Sequence, residues 1–148
     1  MRKIITLGFI AGFLSVLVFH QGTVFLLNVQ GNNVPGIVEW FGRTGPAFNM
    51  MPVPPFGVPT VISQAFWGGL WGIALAALLR SAPVPDLFTG FVFGVVLVTL
   101  VAFTVVAQAK GLPVFAGGNR QIWLRAALLN GAWGWGCALL LRPLALRG

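Results

Sequence analysis

Long apolar runs, separated by short polar or proline-rich segments, make up most of this chain. They predict helices over residues 4–28, 60–79, 87–108 and 122–141. Each is near the roughly 20 residues of helix that cross the hydrocarbon core of a bilayer. A soluble domain of 148 residues could not bury side chains that are 57% hydrophobic and only 7% charged. The pattern therefore predicts an all-α, polytopic membrane protein, a four-transmembrane-helix bundle that forms a single membrane domain over residues 1–148.

The longest connection is the segment between the first two predicted helices, residues 29–59. Asn33 is placed to cap a short helix that has Pro35 in its first turn and Gly42 at its end. Five prolines within residues 46–59 exclude a regular helix from the remainder. We therefore expect a stiff, proline-rich external loop that covers the outer face as a lid. The side chains expected to hold it there are Phe48, Met50, Met51 and Phe56.

Polar residues stand at the starts of the third and fourth predicted helices. Asp86 precedes the third apolar run and Asn119 precedes the fourth. Their side-chain oxygens can accept hydrogen bonds from the first backbone N–H groups of a helix, which have no partner within it. We expect Asp86 and Asn119 to be the N-caps of these two helices.

Basic residues stand at the ends of the apolar runs rather than in one patch, and the net charge is +7. Cytoplasmic loops of membrane proteins carry an excess of lysine and arginine, so both termini are predicted to be cytoplasmic. The partner that this arrangement indicates is a lipid bilayer and not nucleic acid. The predicted cytoplasmic side carries Arg2, Lys3, Arg80, Arg142 and Arg147, and the other side carries Arg43, Lys110 and Arg120, partly offset by Glu39.

The first 19 residues have the basic start and apolar run of a secretory signal. No Ala-x-Ala cleavage site follows them, and three more predicted spans do. We therefore expect the first helix to be retained as a membrane span.

Glycine recurs within the spans at a spacing of four residues, which puts small residues on one helix face. In a bilayer such faces let helix backbones approach closely. They predict packing inside the bundle or against a partner helix, of this chain or of a larger complex. The glycines concerned are Gly8, Gly12, Gly68, Gly72, Gly90 and Gly94.

The order of the motifs also allows two repeated helical hairpins. The first helix has Gly8 and Gly12 where the third has Gly90 and Gly94. Hairpins of equal orientation would be related by an axis along the membrane normal, although apolar sequences also produce such matches by chance. The second and fourth helices share the motifs Trp71-Gly-Ile-Ala-Leu75 and Trp135-Gly-Cys-Ala-Leu139, and each runs on to Leu-Leu-Arg, at Arg80 and Arg142.

Polar side chains within the spans share the outer half of the membrane. Counted from the outer helix ends at about 1.5 Å per residue, His20 and Asn130 lie roughly 12 Å deep, and Gln64 lies roughly 6 Å deep. This depth predicts a polar recess that opens outward beneath the loop. Its predicted members are His20, Gln21, Gln64, Thr104, Arg125 and Asn130.

Two members of this predicted recess are ionisable, which makes each of them a functional candidate. Arg125 lies one turn from the start of its helix and can also extend to the interface. His20 is too deep for that, so we expect it to hydrogen-bond Gln64, Asn130 or a neighbouring backbone. A proton relay, a ligand contact or a metal contact is the alternative.

The residue inventory argues against an enzyme. The chain has one histidine, one cysteine and two acidic residues. That is too few for a zinc site, a pair of haem ligands or a nucleophile with an oriented base. We therefore predict no catalytic residue, no metal site and no cofactor. The deep tryptophans, Trp67, Trp71, Trp133 and Trp135, are predicted to pack in the core, or else to line a site for a flat apolar ligand such as a quinone.

The first half of the chain resembles short bacterial inner-membrane proteins with four predicted spans. The segments that carry the resemblance are Phe19-His-Gln-Gly22, Pro54-Pro-Phe-Gly-Val-Pro59 and Phe66-Trp-Gly-Gly-Leu-Trp-Gly72. The resemblance implies a bacterial inner membrane and carries over no site residue.

The first function hypothesis is a non-catalytic accessory or scaffold protein that joins a homo-oligomer or a larger complex through its glycine faces. The second is a small oligomeric transporter or channel that uses the recess for a small polar or anionic solute.

Overall fold

The computed structural model describes residues 1–142, and the protein is mostly helical, at 78%. Arg147, one of the predicted topology signals, lies outside the described residues. The helices are α1 (Arg2–Asn33), α2 (Pro35–Phe41), α3 (Thr60–Ser81), α4 (Asp86–Ala109) and α5 (Arg120–Leu141), and the two short strands are β1 (Pro52–Val53) and β2 (Val58–Pro59).

Several helical segments depart from regular α geometry. In α1 a π-helical turn covers Val16–His20 and a 3-10 turn forms the end, Gly31–Asn33. In α4 the π-helical turns are Phe93–Val98 and Ala102–Val106. A separate 3-10 turn, Val114–Gly118, precedes α5. Because a π turn holds an extra residue, it turns the side chains beyond it onto a different face of the helix.

Within residues 1–142, the helices α1, α3 and α4 are long and apolar enough to cross a membrane. The prediction of a helical chain with such spans is confirmed for these three. Helix α5 has the length, 22 residues, but its first half is more polar than these three helices, and this lowers its mean hydropathy. The polar side chains responsible are Arg120, Gln121, Arg125 and Asn130.

Helices α1 and α3 form one antiparallel pair in which glycine backbones touch. A Cβ added to Gly12 would collide with the carbonyl oxygen of Gly68, and one added to Gly72 would collide with that of Gly8. The contact is possible only because these positions carry no side chain.

Helices α4 and α5 form a second antiparallel pair of the same kind. A Cβ on Gly90 would collide with the carbonyl oxygen of Gly134, and one on Gly94 with that of Asn130. All six glycines predicted to pack therefore lie at helix contacts inside the chain, and both pairs use them in the same way.

The two contacts also agree in register. Gly8 faces Gly72 and Ala76, whereas Gly90 faces Gly134 and Ala138. This places Gly72 with Gly134 and Ala76 with Ala138, the same offset that relates Arg80 to Arg142. Trp71 and Trp135, in the motifs that suggested the repeat, are separated by two more residues than these pairs are, so they do not occupy equivalent positions in the two contacts.

Reciprocal hydrogen bonds join the two pairs where α1 meets α5. The Ser15 hydroxyl donates to the Trp133 carbonyl oxygen at 2.6 Å, and the Trp133 indole N–H donates to the Gly12 carbonyl oxygen at 3.0 Å. Phe93 packs edge-on against Trp71, with ring centroids 5.9 Å apart. Cys137 is completely buried in this region. Trp133 thus packs in the core and satisfies its own N–H group.

The expected caps are borne out at one helix of three. The Asn119 side chain accepts from the backbone N–H groups of Gln121 and Ile122, as predicted for α5. At α2 the cap position is Val34, and Asn33 instead donates its amide to the Val29 carbonyl oxygen at the end of α1.

Asp86 is the first residue of α4 rather than its cap. The cap position is Pro85, which has no side-chain hydrogen-bonding group. The Asp86 carboxylate lies 3.8 Å from the Arg142 guanidinium instead, so it joins the start of α4 to the end of α5.

The apolar side chains of the external loop do not hold it to the bundle, and that prediction is wrong. Phe56 is 87% exposed, and Phe48, Met50 and Met51 are exposed as well. Strands β1 and β2 form a short antiparallel pair in the same part of the loop. Hydrogen bonds attach this part of the loop instead, among them those from Thr60 N–H to Met51 O and from Val61 N–H to Asn49 O.

Candidate polar site beneath the external loop

Three of the predicted recess residues meet on the outer side of α1 and α3. His20 closes the π turn of α1, Gln21 comes directly after it, and Gln64 lies in the second turn of α3. The extra residue of the π turn rotates the later residues of α1 by about 100° relative to an uninterrupted helix. Gln21 is consequently buried, at 4% exposure, while His20 is half-buried and Gln64 is exposed.

The Gln21 amide connects all the members of this site. Its Nε2 donates to Gln64 Oε1 at 2.9 Å and lies 3.2 Å from His20 Nδ1. Its Oε1 accepts the backbone N–H of Phe48, in the external loop, at 2.8 Å. We call His20, Gln21 and Gln64 the amide–histidine cluster.

These hydrogen bonds fix which atoms carry protons. The Phe48 N–H can only donate, so the Gln21 atom that faces it must be the oxygen and the nitrogen must face His20. That nitrogen has two hydrogens, one for Gln64 Oε1 and one for His20 Nδ1. Nδ1 therefore accepts, because a protonated Nδ1 would set two N–H groups against each other. We therefore assign a neutral ring to His20, with its hydrogen on Nε2.

The other three predicted members lie elsewhere. The Asn130 amide donates to the Thr99 hydroxyl at 2.9 Å and joins α5 to α4. The Thr104 hydroxyl donates to Leu100 O, one turn back in its own helix, at 2.7 Å. Arg125 donates to the Phe41 and Arg43 carbonyl oxygens, at 3.0 and 2.8 Å. The structure brings together half of the predicted recess.

Arg125 acts on the external loop. The carbonyl groups that it binds lie at the end of α2, where Gly42 adopts a φ of +69° and the helix has carbonyl groups without an internal partner. Gln121 adds hydrogen bonds to the Val38 and Glu39 carbonyl oxygens, both at 3.1 Å. A cation and an amide of α5 thus cap the C-terminal end of α2.

A second clamp holds the loop from α1 and was missed in the sequence. The Asn28 and Asn32 amides both donate to the Thr44 carbonyl oxygen at 2.9 Å, and Thr44 N–H donates back to Asn32 Oδ1. The signal available was the set of amide side chains at the outer ends of α1 and α5, opposite a loop whose prolines leave its carbonyl groups unpaired.

The chemistry of the amide–histidine cluster is that of neutral hydrogen-bonding groups. Charged side chains are absent from α1 between Ile4 and Asn33 and from α3 before Arg80. In residues 1–142 no three histidine, cysteine or acidic side chains lie together where they could hold a metal ion. The cluster can bind and orient a neutral polar group, and it has no base or nucleophile with a charged partner.

No protein-family model, curated protein or solved structure matches the chain.

Proposed function

We propose that the chain is a non-catalytic integral membrane protein of four spans that acts as an accessory or scaffold subunit in a bacterial inner membrane. The observation that carries the proposal is how its polar and small residues are used. Five separate sets of hydrogen bonds join helix to helix or helix to loop, and the glycine faces are filled by the chain's own helices. Such a unit is rigid and presents fixed outer surfaces.

The proposal includes α5 as the fourth span. The inner part of α5 is buried among the other helices, including Gly131, Trp133 and Cys137. Arg125 and Asn130, which lower its hydropathy, have their hydrogen bonds satisfied by the loop and by α4. A helix whose polar groups are satisfied by protein can cross a bilayer with a lower hydropathy than one that faces lipid.

The proposed orientation has both termini in the cytoplasm. The antiparallel register of Gly8 with Gly72 brings the start of α1 level with the end of α3, so Arg2, Lys3 and Arg80 share one side. The start of α4 and the end of α5 lie together, since Asp86 and Arg142 are 3.8 Å apart, and the short connection from α3 to α4 places both on that same side. The excess of basic residues there supports this side as the cytoplasmic one.

The matched glycine registers support a duplication of one helical hairpin. On this proposal the pairs α1–α3 and α4–α5 are the two copies, related by an axis along the membrane normal. On this proposal the external loop is the part of the first copy that has diverged, and the short connection before α4 joins the two copies.

Association with a partner uses a surface other than the glycine faces, because those are occupied. Of the three apolar helices α1, α3 and α4, the last is the least buried. We place the contact with a second copy or with a larger complex on its outward side, where Val96, Leu100 and Val105 are exposed.

Native mass spectrometry of the full chain, released in a mild detergent, tests the scaffold role. We expect a defined oligomer or a complex of fixed stoichiometry, and Leu100→Trp to weaken it at least tenfold. Ile10→Trp, at an α1 position of similar exposure, is the matched control and leaves the assembly intact. A monomer that carries a solute across liposome membranes, and loses that flux with His20→Ala, would overturn the proposal in favour of a transporter.

A further inference from the structure

The proton positions in the amide–histidine cluster leave N–H groups on two side chains, His20 and Gln64, that could donate hydrogen bonds to a ligand. With Nδ1 occupied by the Gln21 amide, His20 offers Nε2–H. With Oε1 occupied by the same amide, Gln64 offers the N–H groups of its Nε2. Among residues 1–142 neither donor has a hydrogen-bonding acceptor. Donors without an acceptor in a bilayer are costly, so an acceptor from outside the chain, either water or a ligand, would stabilise them.

The cluster lies where a lipid-soluble molecule can reach it. Gln64 is four residues below the outer end of α3 at Thr60, which corresponds to a depth of about 6 Å. Its side chain is exposed, and Trp67, one turn further and on the same side of α3, is 59% exposed. The indole offers a flat apolar surface next to the donors.

The charge of the site selects a neutral acceptor. His20 is neutral in this hydrogen-bonding arrangement, and neither helix that forms the cluster carries a charged side chain at this depth. Arg125, the cation of the predicted recess, is bound to the Phe41 and Arg43 carbonyl groups. An anion would therefore enter without a partner charge, which is unfavourable in a bilayer.

We propose that His20 and Gln64 form a binding site for the carbonyl oxygen of a neutral lipid-soluble molecule that enters from the outer leaflet. Gln21 is the positioning residue, because its amide sets the direction of both donors and is itself held by the Phe48 N–H. Two sources supply this chemistry, the ester carbonyl of a phospholipid and a long-chain quinone. The site goes beyond the scaffold role and is independent of the oligomeric state.

Because His20 is the only histidine, nuclear magnetic resonance of the [¹⁵N]histidine-labelled full chain reports on this site alone. The protein is reconstituted in ether-linked phospholipid, in ester-linked phospholipid, and in ether-linked phospholipid with a long-chain benzoquinone. We expect the proton on Nε2 and a downfield shift of the Nε2–H proton in one of the last two bilayers relative to the first. A shift with ester-linked lipid identifies the lipid carbonyl, and a shift only with the benzoquinone identifies the quinone.

Two variants show whether the shift belongs to this site. Gln64→Leu keeps the size of the side chain, removes the second donor and is expected to reduce the shift. Gln108→Leu, a matched amide on α4, leaves the shift unchanged. An Nε2–H signal that is the same in all three bilayers, or a proton on Nδ1 in the original chain, would overturn the proposal.

Discussion

Glycines in this protein differ in what surrounds them. Gly12 of α1 faces the backbone of Gly68 and Gly72, so its missing side chain is what lets the two helices touch. Gly22, ten residues further along the same helix, has no atom within 4 Å of the position that a Cβ would take. Packing therefore requires a glycine at position 12, whereas it does not require one at position 22.

We predict that Gly12→Ala destabilises the protein, since the new methyl group would overlap the carbonyl of Gly68. Forcing one methyl group into a packed contact typically costs about 1–3 kcal/mol. Denaturant titration in mixed micelles measures the free energy of unfolding. Gly22→Ala is the control and leaves it unchanged or raises it by up to about 1 kcal/mol, because alanine favours helix over glycine. Equal losses in both variants would contradict the packing role.

The external loop is attached to the helices through hydrogen bonds, and its apolar side chains stay exposed. Amides of α1 bind Thr44, Gln21 binds Phe48, and Arg125 with Gln121 binds the end of α2. This explains why a loop with so little regular structure has a defined path.

We predict that Arg125→Leu releases the end of α2 from α5. The carbonyl groups of Phe41 and Arg43 would lose their cationic donor, so the Gly42 N–H bond to Val38 O opens more often. Hydrogen–deuterium exchange of residues 38–45 is expected to rise at least tenfold. The control is Arg120→Leu, which removes an exposed arginine of the same helix. Unchanged exchange in Arg125→Leu would show that Gln121 suffices to hold the loop.

The lengths of the apolar runs predicted much of the element structure and little of the site. The helix bounds agree within a few residues, except that α1 continues to Asn33. The face of each helix was harder to assign, because π turns such as Val16–His20 rotate the residues beyond them and leave no mark in an apolar sequence. Depth alone therefore grouped Asn130 with His20, although Asn130 turns towards Thr99.

In residues 1–142 two helix pairs, α1–α3 and α4–α5, are joined at Ser15 and Trp133. Each pair is closed by glycine contacts in matched register, and the external loop covers one end. An arrangement of this kind has a distinct inner and outer side, so its orientation in a membrane is open to a direct test.

We predict that both termini are cytoplasmic, because basic residues stand at the start of α1 and at the ends of α3 and α5. Green fluorescent protein fused at either end is expected to fluoresce and alkaline phosphatase there to be inactive, with the reverse result after Lys110. Alkaline phosphatase and green fluorescent protein, which work on opposite sides of a bacterial inner membrane, are fused in turn at each end and after Lys110 as the external reference. Opposite locations of the two termini would exclude a fourth span.

The burial of Cys137, at 0% exposure, has a practical consequence for such work. A thiol enclosed by helix packing is shielded from water-soluble maleimides while the fold is intact. Single cysteines placed at loop positions could then be modified selectively with the native residue left in place. Reaction of the native thiol would conversely report that α5 has separated from its neighbours.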